Sequence, residues 1–307
     1  MKRVLIIGSN GLLGQKVTDL FSRSKNYEIL NTSVEDKPFI KMNEFLYRRL
    51  DITSHNSVMK LVDDFLPEVI INTAAITNVD LCETERALAW KVNVAGVENL
   101  THAARMVGAK IIHFSTDYVF DGKSGPYAEN DRVNPMSYYG RTKLASENVL
   151  RTSEIPHTII RTMILYGIGK QIKDNFAMWL VNNLKDNKQV RVVDDQIGNP
   201  TLVDDLAYAV LKVVEFDKHG LYHIAGNDLV SRYDFALALA KKFKFDKNLI
   251  IPIKTAILKQ PASRPMKSGF IILKAETELS IKMSGVEQGL TIFQNQLNHI
   301  HDSELLN

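Results

Sequence analysis

An α/β fold built on a doubly wound parallel sheet is predicted by three features of this chain. An apolar, β-branched run at residues 3–7 leads straight into Gly8-Ser9-Asn10-Gly11-Leu12-Leu13-Gly14 and then into helical periodicity. Strand-like and helix-like stretches alternate from there to about residue 165, the pattern of a parallel sheet with helices on both faces. Tyr139 and Lys143 stand four residues apart in a predicted helix, so a phenol and an ammonium share one face, one turn apart.

The elements follow in order. Residues 11–21 read as a helix carrying Leu12, Leu13, Val17, Leu20 and Phe21 on its apolar side. Residues 27–30 read as a strand and 49–52 as a short one after a loop. A helix over 54–66 stops at Pro67, and Glu-Val-Ile-Ile-Asn at 68–72 is a strand. One long helix is expected over 83–106, ending near Gly108. A strand at 109–114, the Tyr139–Lys143 helix after Pro135, and a strand at 157–161 follow. Right-handed crossovers make this a Rossmann-type sheet with ligands at the carboxyl ends of the strands.

Beyond Tyr166 the pattern loosens. Helices are expected at 175–184, 203–214 and 233–243, and short strands at 189–193 and 221–224. The expected organisation is a dinucleotide-binding domain over 1–165 and, over 166–307, mainly a smaller C-terminal substrate-binding lobe, with some later segments returning to the first sheet.

Bulk properties narrow the function. The 307 residues are 45% hydrophobic with a net charge of +3, which argues against nucleic acid or a membrane surface as partner. No stretch approaches eighteen apolar residues, and the run at 4–7 is too short for a signal peptide. Cys82 is the only cysteine; it is expected to be structural, in a cytoplasmic protein. His113, His223 and the other histidines lack metal-ligand spacing, so no metal site is predicted.

Each glycine of the turn has a task. Gly8 permits the tight bend, Gly11 lets phosphate oxygens reach bare backbone, and Gly14 allows close helix packing. Asn10, Leu12 and Leu13 fill the turn, whose helix N-terminus offers N–H groups to a pyrophosphate. Near the ribose 2′ position the sequence reads Leu30-Asn31-Thr32-Ser33, with Glu35 and Asp36 a little later. Small polar Thr32 and Ser33 tolerate a 2′-phosphate, so NADPH is the expected cofactor, with NADH as the alternative.

The reacting end is expected where Phe114-Ser115-Thr116-Asp117-Tyr118 leaves a strand. Thr116 can donate to a substrate carbonyl; the alternative is a turn cap. Tyr139 would serve as general acid, and Lys143 would lower the Tyr139 pKa and bond the nicotinamide ribose. Hydride from the nicotinamide would reduce a carbonyl carbon held by Thr116, Asp117, Tyr118 and Tyr139.

These motifs resemble those of the extended short-chain dehydrogenase/reductase superfamily over nearly the whole length. Gly8–Gly14, Asp51-Ile52-Thr53, Asn72-Thr73-Ala74-Ala75, Asn93-Val94-Ala95-Gly96 and Tyr139/Lys143 occur in the expected order. The resemblance implies that Asp51 and Ile52 lie near adenine, that Ala74 and Ala75 line the cofactor cleft, and that Asn93 shapes the active-site backbone and a proton relay. Within the superfamily the chain is most similar to the dTDP-4-dehydrorhamnose reductase family. The runs behind this are Phe114–Gly122, Val193-Asp-Asp-Gln-Ile-Gly-Asn-Pro-Thr201, Gly220–Gly226, Ser231–Ala236 and Arg264-Pro265. That implies reduction of the C4 ketone of dTDP-4-dehydro-L-rhamnose to dTDP-L-rhamnose in nucleotide-sugar biosynthesis. The alternatives are another nucleotide-sugar reductase or epimerase, or a non-catalytic NADP-binding regulatory subunit. Two positions depart from the family pattern: Ile164 replaces a usual tryptophan, and Met266-Lys267-Ser268-Gly269-Phe270 lacks a common aspartate. A homodimer, formed by pairing the 83–106 helix and the Tyr139 helix across subunits, is the implied assembly.

Overall fold

The computed structural model describes residues 1–40 and 46–305. The chain opens with β1 (Lys2–Ile7), whose last four residues are buried, and turns at Gly8 into α1 (Leu12–Ser22). Leu13, Val17 and Phe21 recur every four residues and face the core. Then come β2 (Tyr27–Ser33), β3 (Leu46–Arg49), α2 (His55–Phe65) and β4 (Val69–Asn72). The third strand therefore lies earlier than the expected 49–52. Leu50 and Ile52 are still buried, but in a connecting loop rather than a ladder.

The region expected as one helix over 83–106 is four pieces: α3 (Val79–Thr84), α4 (Arg86–Trp90), a π turn (Lys91–Ala95) and α5 (Gly96–Val107). Glu85 leaves helical geometry at φ −109°, ψ 56°. The wide turn aims Asn93 inward, as such bulges do at functional sites. Gly108, at φ +70°, ends α5 in the left-handed conformation that glycine adopts without strain.

β5 (Lys110–Thr116), α6 (Tyr138–Arg151) and β6 (His157–Thr162) complete the first half. There follow β7 (Leu165–Tyr166), α7 (Phe176–Lys185), β8 (Val190–Val193), β9 (Ile197–Gly198), β10 (Thr201–Leu202), α8 (Val203–Glu215) and β11 (Gly220–His223). The chain ends with β12 (Val230–Ser231), α9 (Arg232–Phe243), β13 (Ile250–Ile253), α10 (Leu273–Leu279) and α11 (Val286–Leu305). No described helix is long and apolar enough to cross a membrane.

Seven parallel strands form the main sheet in the order β11-β6-β5-β4-β1-β2-β3. The order reverses between β1 and β4, and there the connections leave toward opposite faces and open a crevice. One face packs a core of α1, α8 and α10 side chains, including Val17, Phe21, Val210 and Leu279. The other packs α2, α5 and α6 through Val58, Leu100 and Leu150. A third core, with Leu180, Val190, Phe235, Ile250 and Phe293, holds α7, β8, α9, β13 and α11 together. After residue 166 the chain thus alternates between that third core and the main sheet, which α8, β11 and α10 rejoin.

Candidate active site

The crevice between β1 and β4 is built by close backbone approach. A Cβ on Gly8 would lie 2.8 Å from the Ala74 nitrogen, and one on Gly14 only 2.2 Å from the Gly8 carbonyl oxygen. Gly8 itself has φ +77°, a region that L side chains rarely adopt. The Thr73 hydroxyl donates to the carbonyls of Ile7 and Gly8, stitching the β4 end to the turn. Helix α1 begins at Gly11 with no side-chain cap and no acidic residue in its first turn. Its free N–H groups, at Leu12 and Leu13, suit an anion. A dinucleotide fits this cradle: bare glycine backbone, an uncapped helix start and a strand-order reversal coincide.

The ribose corner differs from the expectation. Thr32 is fully buried, and its hydroxyl donates into the sheet, to the Ile6 carbonyl; it does not face the crevice. Glu35 instead returns to the turn. Its carboxylate accepts from Asn10 Nδ2 (3.0 Å) and from the Ser33 hydroxyl (2.5 Å). Burial works to raise this carboxyl, but those hydrogen bonds prevail and hold it below its ordinary value. Asn10 also accepts from Phe39 N–H, tying down the loop after β2. Arg49, at the end of β3, donates to the Val34 carbonyl and lies 3.3 Å from Asp36. The sequence places Glu35 late for this corner and gives no sign of Arg49, because long-range pairing, not spacing, brings them here. Asp51, on the loop after β3, accepts from Thr53 N–H; Ile52 packs under Gly96. Ala74 and Ala75 are half-buried just past β4.

Thr116 ends β5. Its hydroxyl accepts from Tyr118 N–H (3.2 Å) and donates to Asp117 Oδ1 (3.0 Å); as a cap it fixes the turn. Helix α6 begins one loop later, with the Ser137 hydroxyl accepting from Gly140 N–H. Its first turn lies on Tyr118, whose ring meets Tyr139 edge-on at 5.6 Å. Thr116, Asp117, Tyr118 and Tyr139 therefore share one small volume, and all but Tyr118 are buried. Burial pushes the Tyr139 phenol up; the neighbouring Thr116 hydroxyl pulls it down, and the charges of Asp117, Tyr118 and Cys82 push it further up. Lys143, one turn along α6, is not among the groups that shift the phenol in the free protein. Its Nζ lies 3.4 Å from His113 Nε2, and burial pushes its pKa down to about 8.

The π turn between α4 and α5 delivers Asn93, which is fully buried. Its Oδ1 accepts from Ile76 N–H, and its Nδ2 donates to the Ile76 carbonyl and the Thr142 hydroxyl. It thereby joins the loop after β4 to α6, between Tyr139 and Lys143. Cys82 is buried beside Tyr139, with its thiol pushed up to about 11 by burial; it is no nucleophile.

On the other side of Asp117 lies a small pocket whose walls include Tyr118, Ile164, Gln196, Arg232 and Ser268. The Ser268 hydroxyl donates to Asp117 Oδ2 (2.5 Å). Arg264 grips Asp80 on α3 with two bonds of 2.7 and 2.8 Å, and Ile197 N–H donates to Met266. The segment 262–270 thus joins the third core's side to the reacting residues. Burial pushes the Asp117 carboxyl up, against the hydrogen bonds of Ser268 and Thr116 and the charge of Arg232.

Comparison with known proteins gives a consistent result. A family model described as RmlD substrate binding domain matches residues 1–299. The dTDP-4-dehydrorhamnose reductase of Aggregatibacter actinomycetemcomitans is 35% identical, over 94% of this chain and 97% of its own. The solved dTDP-4-dehydrorhamnose reductase of Clostridium acetobutylicum superposes with a TM-score of 0.86 at 36% identity, covering 96% of this chain and 99% of that one. The Bacillus anthracis enzyme of the same name, solved in complex with NADP, gives 0.87 at 32%, covering 96% and 100%.

Proposed function

We propose that this chain, which belongs to the RmlD substrate binding domain family, reduces the C4 ketone of dTDP-4-dehydro-L-rhamnose to dTDP-L-rhamnose with NADPH, NADH being the weaker alternative. One observation carries the reading. A buried tyrosine on α6 and a strand-end threonine meet beside the crevice that the glycine turn opens, and a pocket holding Arg232 adjoins them. The relatives named dTDP-4-dehydrorhamnose reductase supply the substrate.

Gly8, Gly11 and Gly14 would take the pyrophosphate, Ser33 and Glu35 the adenosine ribose, and Ala74 and Ala75 the crevice wall. Bound there, the nicotinamide supplies hydride to the ketone carbon. Tyr139 then gives its phenolic proton to the carbonyl oxygen, a transfer that contributes about 10²–10⁴ in rate. Thr116, held in place by Tyr118 N–H, would turn its hydroxyl hydrogen from Asp117 to that oxygen and orient it. Lys143, its ammonium drawn into the cleft by the bound cofactor, would stabilise the phenolate left behind. Arg232 gives the pocket the cation that a sugar nucleotide's diphosphate calls for. The α7, β8, α9, β13 and α11 assembly is the substrate lobe in this reading.

The test is consumption of NADPH with dTDP-4-dehydro-L-rhamnose, followed by identification of the reduced sugar. A protein that binds NADPH yet leaves this ketosugar untouched refutes the reading. The single buried cysteine supports a cytoplasmic setting. Leu88 and Trp90, each 46% exposed on α4, support a homodimer through that face, which sedimentation of the parent against a Trp90→Glu variant tests.

A further inference from the structure

The surroundings of Lys143 contain a chain of hydrogen bonds whose direction can be worked out atom by atom. Asn72 and His113 are register partners on the parallel strands β4 and β5. Ala74 N–H donates to Asn72 Oδ1 (3.2 Å), so the other arm of that amide is the donor. Asn72 Nδ2 lies 3.2 Å from His113 Nδ1, which must therefore be unprotonated and accept. His113 is fully buried and neutral, its pKa held well below the usual value by burial first and the Lys143 charge second. Its one proton is on Nε2. The Ser146 hydroxyl donates its only hydrogen to the Lys143 carbonyl (2.8 Å), so at 2.9 Å it accepts from His113 Nε2–H.

The order is fixed: Asn72 amide to His113 ring, ring to Ser146 hydroxyl, hydroxyl to Lys143 carbonyl. The lysine Nζ lies 3.4 Å from the same Nε2. That nitrogen has no lone pair left, so the contact is not a hydrogen bond. The other ionisable neighbours do not take the ammonium either. The Glu147 carboxylate is held by Arg161 and Arg151, and the Cys82 thiol, pushed up to about 11, is neutral and directed at the Ile76 carbonyl. A buried ammonium, among the described residues, thus has no acceptor.

We propose that His113 is the positioning residue of Lys143: through Ser146 it anchors the lysine's backbone, and by turning a donor edge to the side chain it leaves every ammonium hydrogen available to the cofactor cleft. An acceptor at this place would capture the ammonium against β5. The inference rests on the reductase reading for its purpose, but its test is a binding measurement.

The experiment is direct titration of NADPH into the parent, His113→Leu, His113→Gln, Ser146→Ala, Lys143→Ala and the His113→Leu/Lys143→Ala double variant. His113→Leu should raise Kd about tenfold, and Ser146→Ala about threefold. His113→Gln, which keeps an amide N–H for Ser146, should restore Kd to within about threefold of the parent. In the Lys143→Ala background the His113→Leu change should have no effect, the mark of a role exercised through the lysine. In turnover, His113→Leu should lower kcat with the ketosugar KM within about twofold. A Kd effect of equal size with and without Lys143, or parental Kd in a folded His113→Leu, overturns the proposal. If His113→Leu does not fold, parental Kd in Ser146→Ala overturns it alone. A parent that binds NADPH but reduces no ketosugar sinks the reductase reading, while the cycle still decides on His113.

Discussion

Gly140 stands so close to Tyr118 that a Cβ on it would lie 2.1 Å from the Tyr118 carbonyl oxygen. The residue between the phenol at 139 and the lysine at 143 is therefore a docking surface. It lets the first turn of α6 rest directly on the backbone that Thr116 caps, which is how a helix and a strand end come to share one site. Gly140→Ala should push α6 away, lowering stability by about 1–3 kcal/mol and kcat by tenfold or more, as small misplacements do. Denaturant melting and NADPH consumption check both; parental activity would show that the contact has slack.

Tyr139→Phe removes the proton and leaves ring packing against Tyr118 intact. NADPH consumption with the ketosugar should fall by about 10²–10⁴, while Kd for NADPH changes little. Turnover like the parent's would assign the proton to another group.

Lys143 bears a charge that the apo fold holds at a penalty. Burial takes its pKa from an ordinary 10.5 to about 8. Between those values the unfolded chain holds a proton that the folded chain has released. Stability from this group therefore rises with pH across that window, and the penalty is complete below it. Its size is roughly 3 kcal/mol. Lys143→Met should raise the melting temperature at neutral pH by roughly 5 °C or more while removing activity. The gap to the parent should close toward pH 10.5. A variant that melts below the parent at neutral pH contradicts this account.

In the proposed reading Arg49 favours NADPH and Glu35 tempers that preference. The Glu35 carboxylate, held by Asn10 and Ser33, would accept from a free ribose hydroxyl and repel a 2′-phosphate. Glu35→Gln should improve NADPH over NADH by about tenfold, or about 1.4 kcal/mol. Arg49→Gln should weaken NADPH and leave NADH unchanged. Competitive titration reads both; an unmoved ratio in Glu35→Gln removes the residue from the discrimination.

Local chemistry makes much of this legible in the sequence. The strand, glycine turn and helix of residues 2–22 are specified by neighbours in sequence, as is the i,i+4 pair on α6. Where contacts are distant, the sequence pattern misled or was silent. The apolar residues at 83–106 fit a single helix, yet Asn93 must reach Ile76 and Thr142, and only a break with a π turn aims it there. A strand is expected at 49–52, but β3 begins three residues earlier and pairs with β2, with Ser33 opposite Arg49. Lys143 is expected to act on the phenol one turn away; that its Nζ also lies 3.4 Å from His113 Nε2, on a strand thirty residues earlier, leaves no mark in local spacing. The short strands β7, β9, β10 and β12 are too brief to leave any periodicity.

The chain's repeated passage between its third core and the main sheet affects how the protein comes apart. α8 covers α1, and β11 forms the edge beyond β6, yet both are encoded after α7 and β8. Excising residues 1–165 would strip one face of the sheet and bare Val17 and Phe21 to water, so such a fragment should aggregate. The intact polypeptide should lose its structure in a single calorimetric event, because neither half can be peeled off while the other persists.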